Sequence, residues 1–167
     1  VNAPLILTAL LGHADFAWAD GLRRTHFPPD RNQVPAHITL FRHLPPSILP
    51  ELKDRLKRLA PVPSPIARII GVLNLGTGVA FHVESPALMD IRDDLAEAFT
   101  GLLTPQDQAR PRLHITIQNK ASPAEAKALY RTMREDFRVQ SLTIAGLAVW
   151  HYRNGPWELA TKALFRG

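Results

Sequence analysis

The order histidine, apolar, threonine, apolar occurs twice in the chain, as His37-Ile38-Thr39-Leu40 and as His114-Ile115-Thr116-Ile117. In an extended strand successive side chains point to opposite faces, so each tetrad offers an imidazole and a hydroxyl on one face and buries two apolar groups on the other. A strand of that kind is suited to floor a polar groove. With 7 histidines and 46% apolar residues in the chain, composition alone predicts roughly 0.13 such tetrads. The repetition therefore favours a site over two structural histidines.

Two imidazoles facing one groove can do what one cannot. Histidine has an unperturbed pKa of about 6.5, so a pair can hold one neutral base and one charged acid. That suits in-line displacement at phosphorus, in which His37 and His114 divide the two proton transfers. Thr39 and Thr116 then donate hydrogen bonds to the non-bridging oxygens, where negative charge gathers. Two imidazoles are too few to hold zinc, and no third histidine or carboxylate has ligand spacing beside them. No metal and no cofactor is expected.

Other residues share the groove-facing parity of these strands. Phe41 is a candidate to stack a base or floor the groove, Arg112 to steer a phosphate, and Gln118 and Lys120 continue the second strand. His43 lies at the rim. His82, with Glu84, reads as part of a solvated sheet face, and His13, His26 and His151 have no partner pattern. Trp150 and Tyr152 share a strand face and are candidates to contact a nucleobase, with core packing the expectation for both.

The elements that must position these groups follow from periodicity and punctuation. Leu5 to Leu11 is an apolar strand ended by Gly12. A helix from His13 to His26 turns Phe16, Ala19 and Leu22 inward, with Arg23 and Arg24 outside, and stops at Pro28-Pro29. The loop from Asp30 to Pro35 leads to the first tetrad strand. Ser47 caps a helix carrying Leu49, Leu52, Leu56 and Leu59. Ile66 to Leu75 and Val79 to Glu84 form a hairpin around Gly76-Thr77-Gly78. Ser85-Pro86 opens a helix to about Leu103, and the polar loop from Thr104 to Pro111 leads to the second tetrad strand. Ser122-Pro123 opens the next helix. Val139 to Tyr152 and Trp157 to Phe165 are strands joined through Asn154-Gly155.

The two histidines lie close to half the 167-residue chain apart. The order of elements predicts an α+β fold, a single domain over residues 1–167. It is bilobed, with two intertwined lobes that carry one tetrad strand each and are related by an approximate two-fold, each lobe an antiparallel sheet with helices on its outer face and a groove between the lobes. The absence of cysteine excludes disulfides and thiolate chemistry and fits a reducing cytoplasm, the location expected. No apolar run is long enough for a membrane span. A net charge of +5 and a pI near 10.1 suit a nucleic-acid partner. Nothing in the sequence signals oligomerisation, and a monomer is expected.

The paired tetrads resemble the signature of the two-histidine (2H) phosphoesterase superfamily. The flanking segments, with PAHITLF before Arg42 and RPRLHITI from Arg110, are most similar to its bacterial 2′-5′ RNA ligase and RNA 2′,3′-cyclic phosphodiesterase branch. The resemblance implies a bilobed fold and metal-independent opening of 2′,3′-cyclic phosphates, on RNA ends or small nucleotides, to a 2′-phosphate. It makes His37 and His114 the catalytic pair and Thr39 and Thr116 the phosphate binders. Two alternatives remain open: a non-catalytic module that binds phosphorylated RNA ends, and reversible 2′-5′ ligation, which is the same chemistry run backwards.

Overall fold

Strand β1 (Leu5–Leu11) is apolar on both faces because it is paired on both edges and covered on both sides. The computed structural model describes residues 3–59 and 61–166. After β1 come α1 (His13–His26), β2 (Ile38–Leu44), a 3-10 turn (Pro46–Ile48), α2 (Leu49–Leu59), β3 (Ile66–Asn74) and β4 (Val79–Glu84). The second part runs α3 (Pro86–Ala98), the one-turn α4 (Pro105–Gln108), β5 (His114–Gln118), α5 (Pro123–Glu135), β6 (Gln140–His151) and β7 (Glu158–Leu164).

All strand pairs are antiparallel, in the order β2-β1-β6-β3-β4-β5, with β7 added to the C-terminal part of β6. This order is symmetric. Exchanging β1 with β4, β2 with β5 and β3 with β6 returns the same list, so the chain holds two strand-helix-strand-helix-strand repeats and the symmetry axis passes between β3 and β6. The register obeys it as well: Ile66 to Ile69, the first four residues of β3, pair with Gln140 to Thr143, the first four of β6. Beyond that crossing, β3 runs on beside β4 and β6 runs on beside β1.

The two lobes are intertwined through an exchange of strands. β3 belongs to the first repeat but lies in the sheet of the second, and β6 does the reverse. The repeats meet at the β3–β4 turn, where Gly76 takes φ +90° and a Cβ on Gly78 would collide with the Gln118 carbonyl oxygen.

The helices bury Ala19, Leu52 and Leu56, Leu88 and Leu95, and Ala126 and Leu129 in one core. Each fully buried leucine there contributes about 2 kcal/mol. The cap-plus-proline starts are present: the Ser85 hydroxyl accepts the Leu88 amide at 3.2 Å, and Ser122 and Glu125 form a reciprocal capping box. Two boundaries differ from expectation. Ser47 sits inside the 3-10 turn and α2 starts at Leu49, and α3 ends at Ala98, followed by a turn with Gly101 at φ +87°. No helix among the described residues is long and apolar enough to cross a membrane.

Alternation along β2 breaks midway. Leu40 and Phe41 are both buried and Arg42 and His43 are both exposed, because the pairing with β1 slips between Leu7↔Phe41 and Thr8↔Thr39. This bulge turns two consecutive amides outward. The buried carboxylate of Asp107 accepts both, from Arg42 at 2.9 Å and His43 at 2.8 Å. An end strand that would otherwise show unpaired amides is thereby closed by the loop leading to β5.

Candidate active site

One tetrad lies at the start of β2, with His37 just before its first residue, and the other on β5; these are the two ends of the strand order, and the sheet curls until they approach each other. Each imidazole is held in the same way. His37 Nδ1 lies 2.7 Å from the Pro35 carbonyl oxygen, and His114 Nδ1 lies 2.7 Å from that of Arg112. A carbonyl can only accept, so Nδ1 carries the proton in both rings and the lone pair is on Nε2. Two bases, each oriented by the residue two positions before it, thus belong to equivalent places in the two repeats.

The cavities between the end strands are shared crosswise. One of about 300 Å³ is lined by His37 and Thr116, with Arg23, Tyr152 and Trp157. Another of about 220 Å³ is lined by His114 and Thr39, with Arg42 and Arg112. Each cavity pairs the histidine of one repeat with the threonine of the other.

Charge and burial hold the imidazoles neutral. Desolvation pushes the His37 pKa down to about 4; the Pro35 carbonyl opposes this, and the charges of Arg23, His114 and Arg42 reinforce it. The Trp157 ring, 4.8 Å from that of His37, supplies part of the apolar cover. His114 is also lowered, first by desolvation, against the Arg112 carbonyl and with the charges of Arg42, Arg112 and His82. Arg42 acts on both imidazoles.

Two buried arginines at corresponding places brace the strands. Arg23 on α1, only 4% exposed, donates from Nη1 to the Thr116 carbonyl at 2.8 Å and stacks 4.4 Å from the Phe27 ring. Arg92 on α3, 2% exposed, donates from Nε to the Leu40 carbonyl at 3.4 Å and to the carbonyls of Asp107 and Ala109, and stacks 4.2 Å from the Phe41 ring. Arg23 is expected on the outside of α1, whereas Arg92 stands four residues after Leu88 and three before Leu95, on the face that α3 buries.

A model of the 2′-5′ RNA ligase superfamily matches residues 13–156. The chain belongs to that superfamily. No curated protein sequence matches it significantly. Among solved structures, TT0787 of Thermus thermophilus is 18% identical over 98% of both chains with a TM-score of 0.62. A structure described as a phosphoesterase is 16% identical over 100% of both with a TM-score of 0.65. E. coli LigT complexed with 3′-AMP is 16% identical over 100% of both with a TM-score of 0.63. At these identities the likeness carries the fold.

Within this superfamily fold the sequence-derived candidates divide. His37, Thr39, Thr116, His114 and Arg112 line the paired cavities. Phe41 does not: it is 1% exposed beneath Arg92, because the bulge reverses the parity from which it was placed, and Arg42 takes the groove position instead. Gln118 is buried, with Nε2 3.5 Å from the His26 carbonyl and Oε1 unpartnered. Lys120 lies past the end of β5 at φ 61° and lines neither cavity, and His43 stays exposed at the rim.

Tyr152, expected in the core, is 41% exposed and lines the His37 cavity, while Trp150 is half-buried with Nε1 bonded to Thr8 Oγ1 at 2.9 Å. His82 is directly opposite His114 in the β4–β5 ladder and shares its face. Arg23, Arg42 and Trp157 are the site residues that sequence reasoning missed. For Trp157 a signal existed: it follows directly on the Asn154-Gly155-Pro156 turn, which delivers a side chain to one end of the sheet.

Proposed function

We propose that this protein opens 2′,3′-cyclic phosphates, on RNA ends or small nucleotides, to 2′-phosphates by two-histidine acid/base catalysis. The matched Nδ1 bonds of His37 and His114 carry this reading, because they leave two Nε2 atoms free at equivalent places beside crosswise threonines. The substrate's phosphoryl group spans the two cavities, with Thr39 and Thr116 donating to its non-bridging oxygens. One imidazole takes a proton from the attacking water as the new P–O bond forms. The other gives its proton to the 3′ oxygen as the P–O3′ bond breaks, and the products are a 2′-phosphate and a 3′-hydroxyl.

His114 suits the acid and His37 the base. Burial and positive neighbours lower both pKa values, that of His37 to about 4, and a phosphate anion arriving between the rings favours the protonated form of His114. Arg42 and Arg112 compensate the anion's remaining charge. The crystallisation of E. coli LigT with 3′-AMP supports a nucleotide-sized ligand here. Side chains supply both proton transfers, so the reaction as proposed calls on no metal.

The experiment is hydrolysis of 2′,3′-cyclic nucleotides and of RNA ending in a 2′,3′-cyclic phosphate, in EDTA, with the phosphate position on the product assigned. Turnover in EDTA giving 2′-phosphate is expected, falling roughly 10²- to 10⁴-fold in His37→Ala and in His114→Ala. Substantial activity in either variant ends the pairing. The superfamily match also supports assaying the reverse joining of a cyclic phosphate end to a 5′-hydroxyl.

A further inference from the structure

Away from the groove, a cavity of about 670 Å³ lies between the β3–β4 turn and one face of α5. Lys127, Arg131 and Arg134 line it, and their spacing of four and three residues sets them on one helix face. Among the described residues none of the three has a carboxylate within ion-pair distance, and the one acid in the lining is Glu135. Like charges at that spacing oppose the helix, so the arrangement costs stability until an anion neutralises it. Tyr130 is half-buried among these cations, with the Arg134 guanidinium 5.9 Å from its ring.

The wall opposite α5 connects this cavity to the candidate active site. Asn74 and Gly76 face it, while Leu73 and Leu75 line the cavity that holds His114 and Thr39. The end of β3 and the turn that follows it separate the two.

We propose that the α5 cavity is a second binding site for an RNA strand whose cyclic phosphate end lies between the two histidines. The strand crosses the β3–β4 turn, its phosphodiesters meet Lys127, Arg131 and Arg134, and an unstacked base rests on Tyr130. Cations interleaved with an aromatic ring are what a single strand needs, since phosphates carry the charge and every base has a π-face. This inference rests on the proposed reaction, which it extends from the reacting end to the body of the substrate.

The test uses the full chain, the variant R131E/R134E, and K57E/R58E on exposed positions of α2 as a control of equal charge change. Turnover is measured on a 2′,3′-cyclic mononucleotide and on a short oligoribonucleotide ending in the same group. Binding is measured on that oligoribonucleotide ending in a 3′-phosphate, across salt concentrations. R131E/R134E is expected to leave kcat/KM on the mononucleotide unchanged and to lower it roughly tenfold on the oligoribonucleotide, with the salt slope of binding flatter by about 1.4. Tyr130→Leu is expected to weaken binding roughly tenfold with the slope retained. Equal losses on both substrates, an equal loss in K57E/R58E, or no loss on the oligoribonucleotide overturns the proposal. If the wild type turns over neither substrate, the proposed reaction fails, and the binding arm still decides the second site: lost affinity in R131E/R134E supports it and unchanged affinity overturns it.

Discussion

Arg23 on α1 donates from Nη1 to the backbone carbonyl of Thr116 at 2.8 Å, although 93 residues separate them. The same guanidinium lines the His37 cavity, so one side chain of the first repeat holds the motif strand of the second beside the histidine of the first. Arg23→Met keeps the volume but leaves the Thr116 carbonyl without this donor. A loss of about 2 kcal/mol in urea unfolding is expected, together with a fall in kcat as Thr116 loses its position. Full activity in Arg23→Met would show that the carbonyl finds another partner and that the brace is not needed.

Asp107 closes the bulge of β2 through two backbone amides, and Asp107→Ala exposes both. Hydrogen bonds to a charged acceptor are worth about 1.5–3 kcal/mol each, so stability should drop by roughly 3 kcal/mol. Arg42, freed with its strand, should move from the imidazoles, and the His114 pKa should rise toward its ordinary value. Imidazole resonances followed by NMR through a pH titration measure that directly; a His114 pKa that stays put refutes the link through Arg42.

Stability should also depend on His37. Its folded pKa, about 4, lies below the unfolded value of about 6.5, so the unfolded chain binds the extra proton first. Stability is full above pH 6.5 and declines as pH falls through that window, by up to about 3 kcal/mol at pH 4. In His37→Gln this part of the slope should vanish. Parallel pH–stability curves for wild type and variant would mean that His37 is not held neutral by the fold.

The same displacement shapes the rate. With His37 as base and His114 as acid, kcat/KM should rise with the loss of a proton near pH 4 and fall as His114 loses its own below 6.5. The profile is a bell on the acidic side of neutrality, and its two apparent pKa values belong to the pair. Trp157→Ala admits water to His37 and should move the ascending limb upward. An optimum above pH 7 in the wild type contradicts these roles.

Much of this molecule is legible in its sequence because local rules decide it. The two tetrads, the cap-plus-proline starts at Ser85-Pro86 and Ser122-Pro123, and the turns at Gly76 and Asn154 each depend on residues a few positions apart. What escaped depends on distant partners. The bulge that replaces Phe41 by Arg42 exists because the Asp107 carboxylate is present to take the amides it exposes. Arg23 sits at a polar-looking position of α1 but is buried because β5 arrives beside it with a carbonyl to satisfy. Half of the strand exchange is local, since the β3–β4 hairpin at Gly76-Thr77-Gly78 sets β3 beside the second repeat, while the pairing of β6 with β1 joins residues more than 130 positions apart.

That exchange makes the two repeats mutually dependent. Neither has a complete sheet without a strand from the other, and each carries one of the two tetrads. The topology is that of a strand-swapped dimer whose two identical chains have been joined end to end at the Gly76-Thr77-Gly78 turn, with the two tetrad strands brought together. In such an assembly the two motif histidines have identical surroundings, and only after fusion can one copy gain Trp157 and the other Arg112 as neighbours. The difference between His37 and His114 is thus a property that the joined chain can hold and a symmetric pair could not.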